Sequence, residues 1–147
     1  MQDSIGNLIM REERFMQVTM RNIVDAYVKP RGFKPIHAHL VSLLDVKEGQ
    51  TIKELCVLAR IKPSNLSPIC RELEEASLVR RERNVSDKRS IRLFLTPEGQ
   101  RFLEELNAWI DQVLSSAGDE NAELHSAIAQ GFAAFRTLIQ RAKNTNE

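Results

Sequence analysis

The chain has 147 residues, 42% of them apolar and 28% charged, with a formal net charge of +1 at pH 7. That length suits a single domain with a real core, and the composition is ordinary for a soluble globular protein. No apolar run approaches the ~18 residues that cross a bilayer; the segment MQDSIGNLIMREERF carries charge where a signal peptide would be apolar; and nearly balanced charge means that any nucleic-acid binding must rest on uneven placement.

Helical spacing of Ile5, Leu8, Ile9, Phe15, Met16, Ile23 and Tyr27 predicts a first helix from Ser4 to about Val28, interrupted at Lys29-Pro30-Arg31-Gly32. A second helix starts near Pro35, with Ile36, Leu40, Leu43 and Leu44 as its buried stripe, and stops near Lys47-Glu48-Gly49. Thr51 and Glu54 form a capping box that starts a third helix. The link Arg60-Ile61-Lys62-Pro63 leads to a fourth, from Ser64 or Asn65 to Ala76, which completes a helix-turn-helix. Two strands follow, opened by Ser77-Leu78-Val79 and formed by Ser90–Leu95, and Thr96-Pro97-Glu98 starts a long fifth helix. After a break at Ala117-Gly118-Asp119 a sixth helix bears Leu124, Ile128, Phe132, Phe135, Leu138 and Ile139.

Between the two strands the charge is concentrated. From Arg80 to Arg92 six basic residues (Arg80, Arg81, Arg83, Lys88, Arg89, Arg92) face only Glu82 and Asp87, an excess of four that leaves the rest of the chain at about −3. A basic hairpin projecting from a globular body is an electrostatic grip on phosphates. Directly after a helix-turn-helix it reads as a wing, with the second helix of the pair entering a major groove and the hairpin reaching the neighbouring minor groove. The fold class is therefore mainly α with a small β-hairpin, a winged helix-turn-helix lobe and additional helices.

The stretch KELCVLARIKPSNLSPICRELEEASLVRRERNVSDKRSIRLFLTPEG resembles the multiple-antibiotic-resistance regulator (MarR) family. Its wing pattern, Asp-x-Arg, a strand, then Leu-Thr-x-x-Gly, is matched by Asp87-Lys88-Arg89 and by Leu95-Thr96-Pro97-Glu98-Gly99. The resemblance implies one domain over 1–147, with a DNA-binding lobe at 34–99 and a helical dimerisation region at 4–30 and 100–143. It implies a cytoplasmic homodimeric regulator, expected to be a repressor, on a roughly palindromic duplex, released by a small-molecule effector.

The expected DNA contacts are Ser64, Asn65, Ser67 and Arg71 on the recognition helix and Arg81, Arg83, Asp87, Lys88, Arg89 and Arg92 in the wing. Arginine suits a narrow minor groove, where negative potential is enhanced, so Arg89 is the expected groove reader and Asp87 its positioner. Ser64 and Asn65 also suit helix capping. Pro68 departs from the commonest family pattern, in which many relatives have a basic residue. An effector cleft between the dimerisation helices and the lobe, implied by the resemblance, would place Phe15, Thr19, Ile36, His37, His39 and Trp109 nearby.

Other chemistry is thin. His37 and His39 do not share a helix face and His125 is remote, so no metal site and no cofactor are expected. Gly-rich phosphate loops, GxSxG and HExxH are absent, which argues against an enzyme. Cys56 and Cys70 lack CxxC spacing and suit a reducing cytosol. The peroxide-sensing branch of the family has a similar recognition helix but a cysteine near the start of its first helix, which this chain lacks. A redox response through Cys70 or Cys56, and a protein–protein module without DNA binding, are the alternatives.

Overall fold

The structure, a computed structural model, describes residues 4–83, 90–116 and 121–145. The chain divides into two compact units, Met1–Ile110 and Asp111–Glu147. In order, the elements are α1 (Ile5–Val28), a 3-10 turn (Lys29–Arg31), α2 (Pro35–Val46), β1 (Gln50–Thr51), α3 (Ile52–Ala59), α4 (Pro63–Glu75), β2 (Val79–Arg83), β3 (Ile91–Leu95), α5 (Pro97–Ser115) and α6 (Asn121–Thr145). The sheet order is β1-β3-β2, antiparallel throughout, with Gln50 opposite Leu93 and Val79 opposite Leu95.

Most helix starts follow from local chemistry. The Ser4 hydroxyl accepts the Asn7 N–H at 3.3 Å, and Thr51 and Glu54 exchange bonds, Thr51 Oγ1 accepting from the Glu54 N–H and Glu54 Oε2 from the Thr51 N–H. α4 begins earlier than the sequence led us to expect. Lys62, not Ser64 or Asn65, is its N-cap, and the Lys62 carbonyl accepts from the Asn65 and Leu66 amides. Proline is favoured at the first helical position because its fixed φ suits a helix and its missing N–H would be unpaired there anyway, so Pro63 sets the start. Pro68 therefore falls deeper in the helix than the first turn.

β1 is a strand the sequence did not announce, since two residues show no alternation. It extends the wing into a three-stranded sheet and ties it to the start of α3. α2 differs too: its buried residues are His37, Ala38, Leu40, Val41 and Leu44, whereas Ile36 and Leu43 are only half-buried. The helix packs against α1, α3 and β3, so more than one stripe is covered.

In the first unit the core is built on Leu40, Leu44, Leu55, Leu66, Leu73 and Leu93, all fully buried; each contributes roughly 1.5–3 kcal/mol of transfer free energy. α1 enters this core only at its end, through Tyr27 and Val28. The Tyr27 hydroxyl donates to Glu105 Oε2 at 3.0 Å and the Trp109 indole donates to the Ile23 carbonyl at 3.2 Å, fastening α1 to α5. The motif glycine Gly99 has a steric reason: a Cβ there would overlap the Leu78 carbonyl oxygen, which accepts the Thr96 N–H at 3.1 Å. Within the second unit, every described side chain of α6 is exposed, including Leu124, Ile128, Phe132, Phe135, Leu138 and Ile139.

Candidate nucleic-acid interface

The helix-turn-helix is closed at Arg60, which adopts a left-handed backbone (φ 53°) while Ile61 N–H returns to the Cys56 carbonyl at 3.0 Å. That closure turns the chain directly into Lys62 and Pro63. α4 is then seated by Leu66, Cys70 and Leu73, whose spacing of four and three makes one buried stripe, with Ile69 half-buried beside it. The opposite face carries Ser64, Asn65, Ser67, Pro68 and Arg71, all exposed. The four recognition-helix residues expected to meet DNA thus share the solvent side of one helix. Ser67 Oγ donates to the Pro63 carbonyl at 3.0 Å, and Arg71 makes no hydrogen bond or ion pair among the described residues.

The wing arginines divide into two kinds. Arg83 is exposed at the end of β2. Arg81 instead turns back onto the recognition helix, its Nε 2.8 Å from Glu74 Oε2. Arg92 donates from Nη1 to the Gly49 carbonyl at 2.8 Å. Gly49 is left-handed (φ 68°), and a Cβ there would come within 2.9 Å of the Phe94 ring, so the β1 approach depends on glycine. Arg80 lies over the Phe94 ring at 4.6 Å and pairs with Glu82. Asp87, Lys88 and Arg89, the expected wing tip, lie outside the described residues. These internal roles were invisible to a count of charges, because each partner is set by the fold rather than by a neighbour in sequence.

Of the residues expected near an effector, Phe15 lines only an open depression along α1, with Met10, Arg11, Arg14 and Val18, and His39 lines a cleft. That cleft, about 310 Å³, lies between α1, α2 and the first part of α5, where Met20 and Val24 face His39, Ser42, Leu106 and Asn107. Phe15 is 65% exposed on α1, and Thr19 and Ile36 are half-buried outside the cleft. Trp109 is half-buried against Tyr27, and His37 points elsewhere, into the core toward Glu72. Met20, Val24, Ser42, Leu106 and Asn107 were missed; a cleft where three helices converge leaves no pattern within any one of them.

Cys70 is buried under α4, and burial pushes its thiol up to about 11, so it stays protonated and weakly nucleophilic at neutral pH. This weakens the redox alternative. Among the described residues no group of three or more His, Cys, Asp or Glu could hold a metal ion, and no helix is long and apolar enough to cross a membrane.

Comparison with known proteins agrees with this architecture. Residues 35–91 match the model of the MarR family. A cysteine-to-serine mutant of MarR from E. coli superposes with a TM-score of 0.71 at 19% identity, covering 90% of this chain and 98% of that one. YusO from Bacillus subtilis gives 0.66 at 22% identity, with 90% and 99% covered. A mutant of MepR from S. aureus, bound to an oligodeoxyribonucleotide, gives 0.62 at 16% identity, with 90% and 98% covered. Among proteins of curated function, none matches the chain in sequence. At such identities the structural likeness is one of fold.

Proposed function

We propose that this chain is a MarR-type transcription regulator, as the match over residues 35–91 supports, that binds double-stranded DNA as a homodimer and is released by a small molecule. The observation that carries this reading is the single exposed face of α4, with Ser64, Asn65, Ser67 and Arg71, beside the antiparallel β2–β3 pair, in which Arg83 is exposed. Such a face offers hydroxyl, amide and guanidinium donors to phosphates and base edges.

Dimerisation through the helices outside the winged lobe is supported by the exposed apolar side chains of α1 and α6, among them Leu8, Val18, Ile128 and Phe132. A stripe of that kind is seldom left in water. The α1–α2–α5 cleft is the proposed effector site, with His39, Ser42 and Asn107 as its polar groups. Repression, rather than activation, and a cytoplasmic location are the family-typical form of this reading.

The test is selection of duplexes from a random pool, followed by fluorescence anisotropy on the winner. We expect a two-fold-symmetric consensus with half-site centres about one helical turn, ~34 Å, apart. If each protomer neutralises about four phosphates, affinity should fall by roughly 10³–10⁵ between ~50 and ~200 mM salt. No enriched duplex would defeat the DNA-binding reading and revive the protein–protein one.

A further inference from the structure

The recognition helix has an oddity for an element expected to approach a polyanion. Against the single Arg71, its second half carries Glu72, Glu74 and Glu75. On electrostatics alone each carboxylate opposes binding. Yet two of the three are engaged by the body of the protein. Glu72 Oε2 lies 2.7 Å from Nε2 of His37 on α2, and Glu74 Oε2 lies 2.8 Å from Nε of Arg81 on β2.

The first of these ties is unusually well built. His37 is 2% exposed, and its Nδ1 accepts the Lys34 N–H at 2.9 Å. With Nδ1 occupied as an acceptor, Nε2 carries the proton and donates to Glu72. The Phe33 ring stands edge-on to the imidazole at 5.6 Å, so the donor's position is fixed from two sides. The Glu72 side chain itself is half-exposed at the margin of the helix.

At 100° per residue, Glu72 and Glu74 lie about 160° apart around α4, on opposite flanks of its exposed face. Ser64, Pro68 and Arg71 fall between them. The buried stripe of Leu66, Cys70 and Leu73 holds the helix against the core, but apolar contact is non-directional and resists rolling only weakly. A directional hydrogen bond on one flank and an ion pair on the other oppose roll in both senses.

We propose that Glu72 and Glu74 are positioning residues for DNA recognition: the hydrogen bond of Glu72 with His37 and the ion pair of Glu74 with Arg81 fix the roll of α4 and so the aim of Ser64, Ser67 and Arg71. This rests on the DNA-binding reading above. It assigns Arg81 to holding the recognition helix rather than to phosphate.

Glu72→Ala and Glu72→Gln distinguish geometry from charge, because both remove the negative charge but only glutamine keeps an acceptor for His37. The full-length variants are titrated with the duplex selected by the unmodified protein and with a scrambled duplex of the same length. We expect Glu72→Ala to weaken the selected duplex about tenfold and leave the scrambled one unchanged or tighter, and Glu72→Gln to restore specific affinity. Glu74→Ala and Glu74→Gln both remove the ion pair with Arg81 and should both weaken the selected duplex, leaving the scrambled one unchanged or tighter. A general loss of folded protein would lower both duplexes together, and circular dichroism melts of each variant check for it. Alanine and glutamine variants that tighten both duplexes alike would show that the carboxylates act by charge alone and overturn the proposal. Failure of the unmodified protein to enrich any duplex would instead overturn the DNA-binding reading, and this role with it.

Discussion

At the residue scale, identical side chains do different work according to what the fold sets beside them. Arg71 is exposed and without a partner among the described residues, whereas Arg92 is half-buried and bonded to the Gly49 carbonyl. Arg71→Ala is expected to leave the melting temperature within error, weaken DNA binding and, if the contact is to phosphate, reduce the salt slope by about one. Arg92→Ala removes a charge-assisted bond at a half-buried site and should lower stability by roughly 1.5–3 kcal/mol in urea denaturation. Equal stability of the two variants would show that Arg92 is not structural. Glu54 makes a second case. The Thr51 N–H, then Lys47 and the Thr51 hydroxyl, hold its carboxyl down at about 2. A carboxyl depressed in the folded state stabilises fully above its ordinary range near 4.5 and loses that contribution as pH falls toward about 2. Thermal melts of Glu54→Gln between pH 5 and 2, values spanning that window, should therefore show a shallower acid decline than the unmodified protein. The effect is small, since the side chain is 41% exposed and screened.

At the scale of elements, what the sequence disclosed depended on how much information lay within one turn. The Thr51–Glu54 box is complete in four residues and was legible as written. So was the order helix, helix, strand, strand, because each period is local. The start of α4 was misplaced because Ser64 and Asn65 compete as caps with Pro63 as a first residue, and only the Lys62 carbonyl bonds decide between them. β1 was illegible because its partner, Leu93, lies far along the chain, and on α2 only Leu40 and Leu44 of the buried face were legible, the burial of His37 depending on distant neighbours such as Glu72. The corrected start has a consequence for Pro68. As the sixth residue of α4 it occupies a position where an ordinary residue would donate to the Ser64 carbonyl, and it cannot. Its side chain is exposed, so Pro68→Ala restores a bond without opening a cavity. We expect that variant to gain roughly 1–3 kcal/mol in chemical denaturation. An unchanged or lowered midpoint would mean that the proline is accommodated by a compensating bond.

At the scale of the whole molecule, the apolar surface of α6 and the proposed symmetry of the DNA site bear on each other. A monomer of 16.8 kDa would hold Leu124, Ile128, Phe132 and Phe135 in water along a single helix. Covering them with a second copy removes apolar area worth roughly 25 cal/mol per Å². The same event joins two recognition helices, so that the second half-site is met at high effective concentration, a gain of about 10²–10⁴ in affinity without any new contact. Phe132→Glu tests both consequences with one charge, placed on an exposed side chain outside the winged lobe. Sedimentation velocity should then report the mass of one chain where the unmodified protein gives two, while circular dichroism of the variant keeps its helical signature. Its affinity for the selected duplex should fall at least ~100-fold, yet a duplex bearing one half-site should bind the variant and the unmodified protein about equally. A Phe132→Glu protein that stays dimeric would remove α6 from the interface and move the burden of assembly to α1.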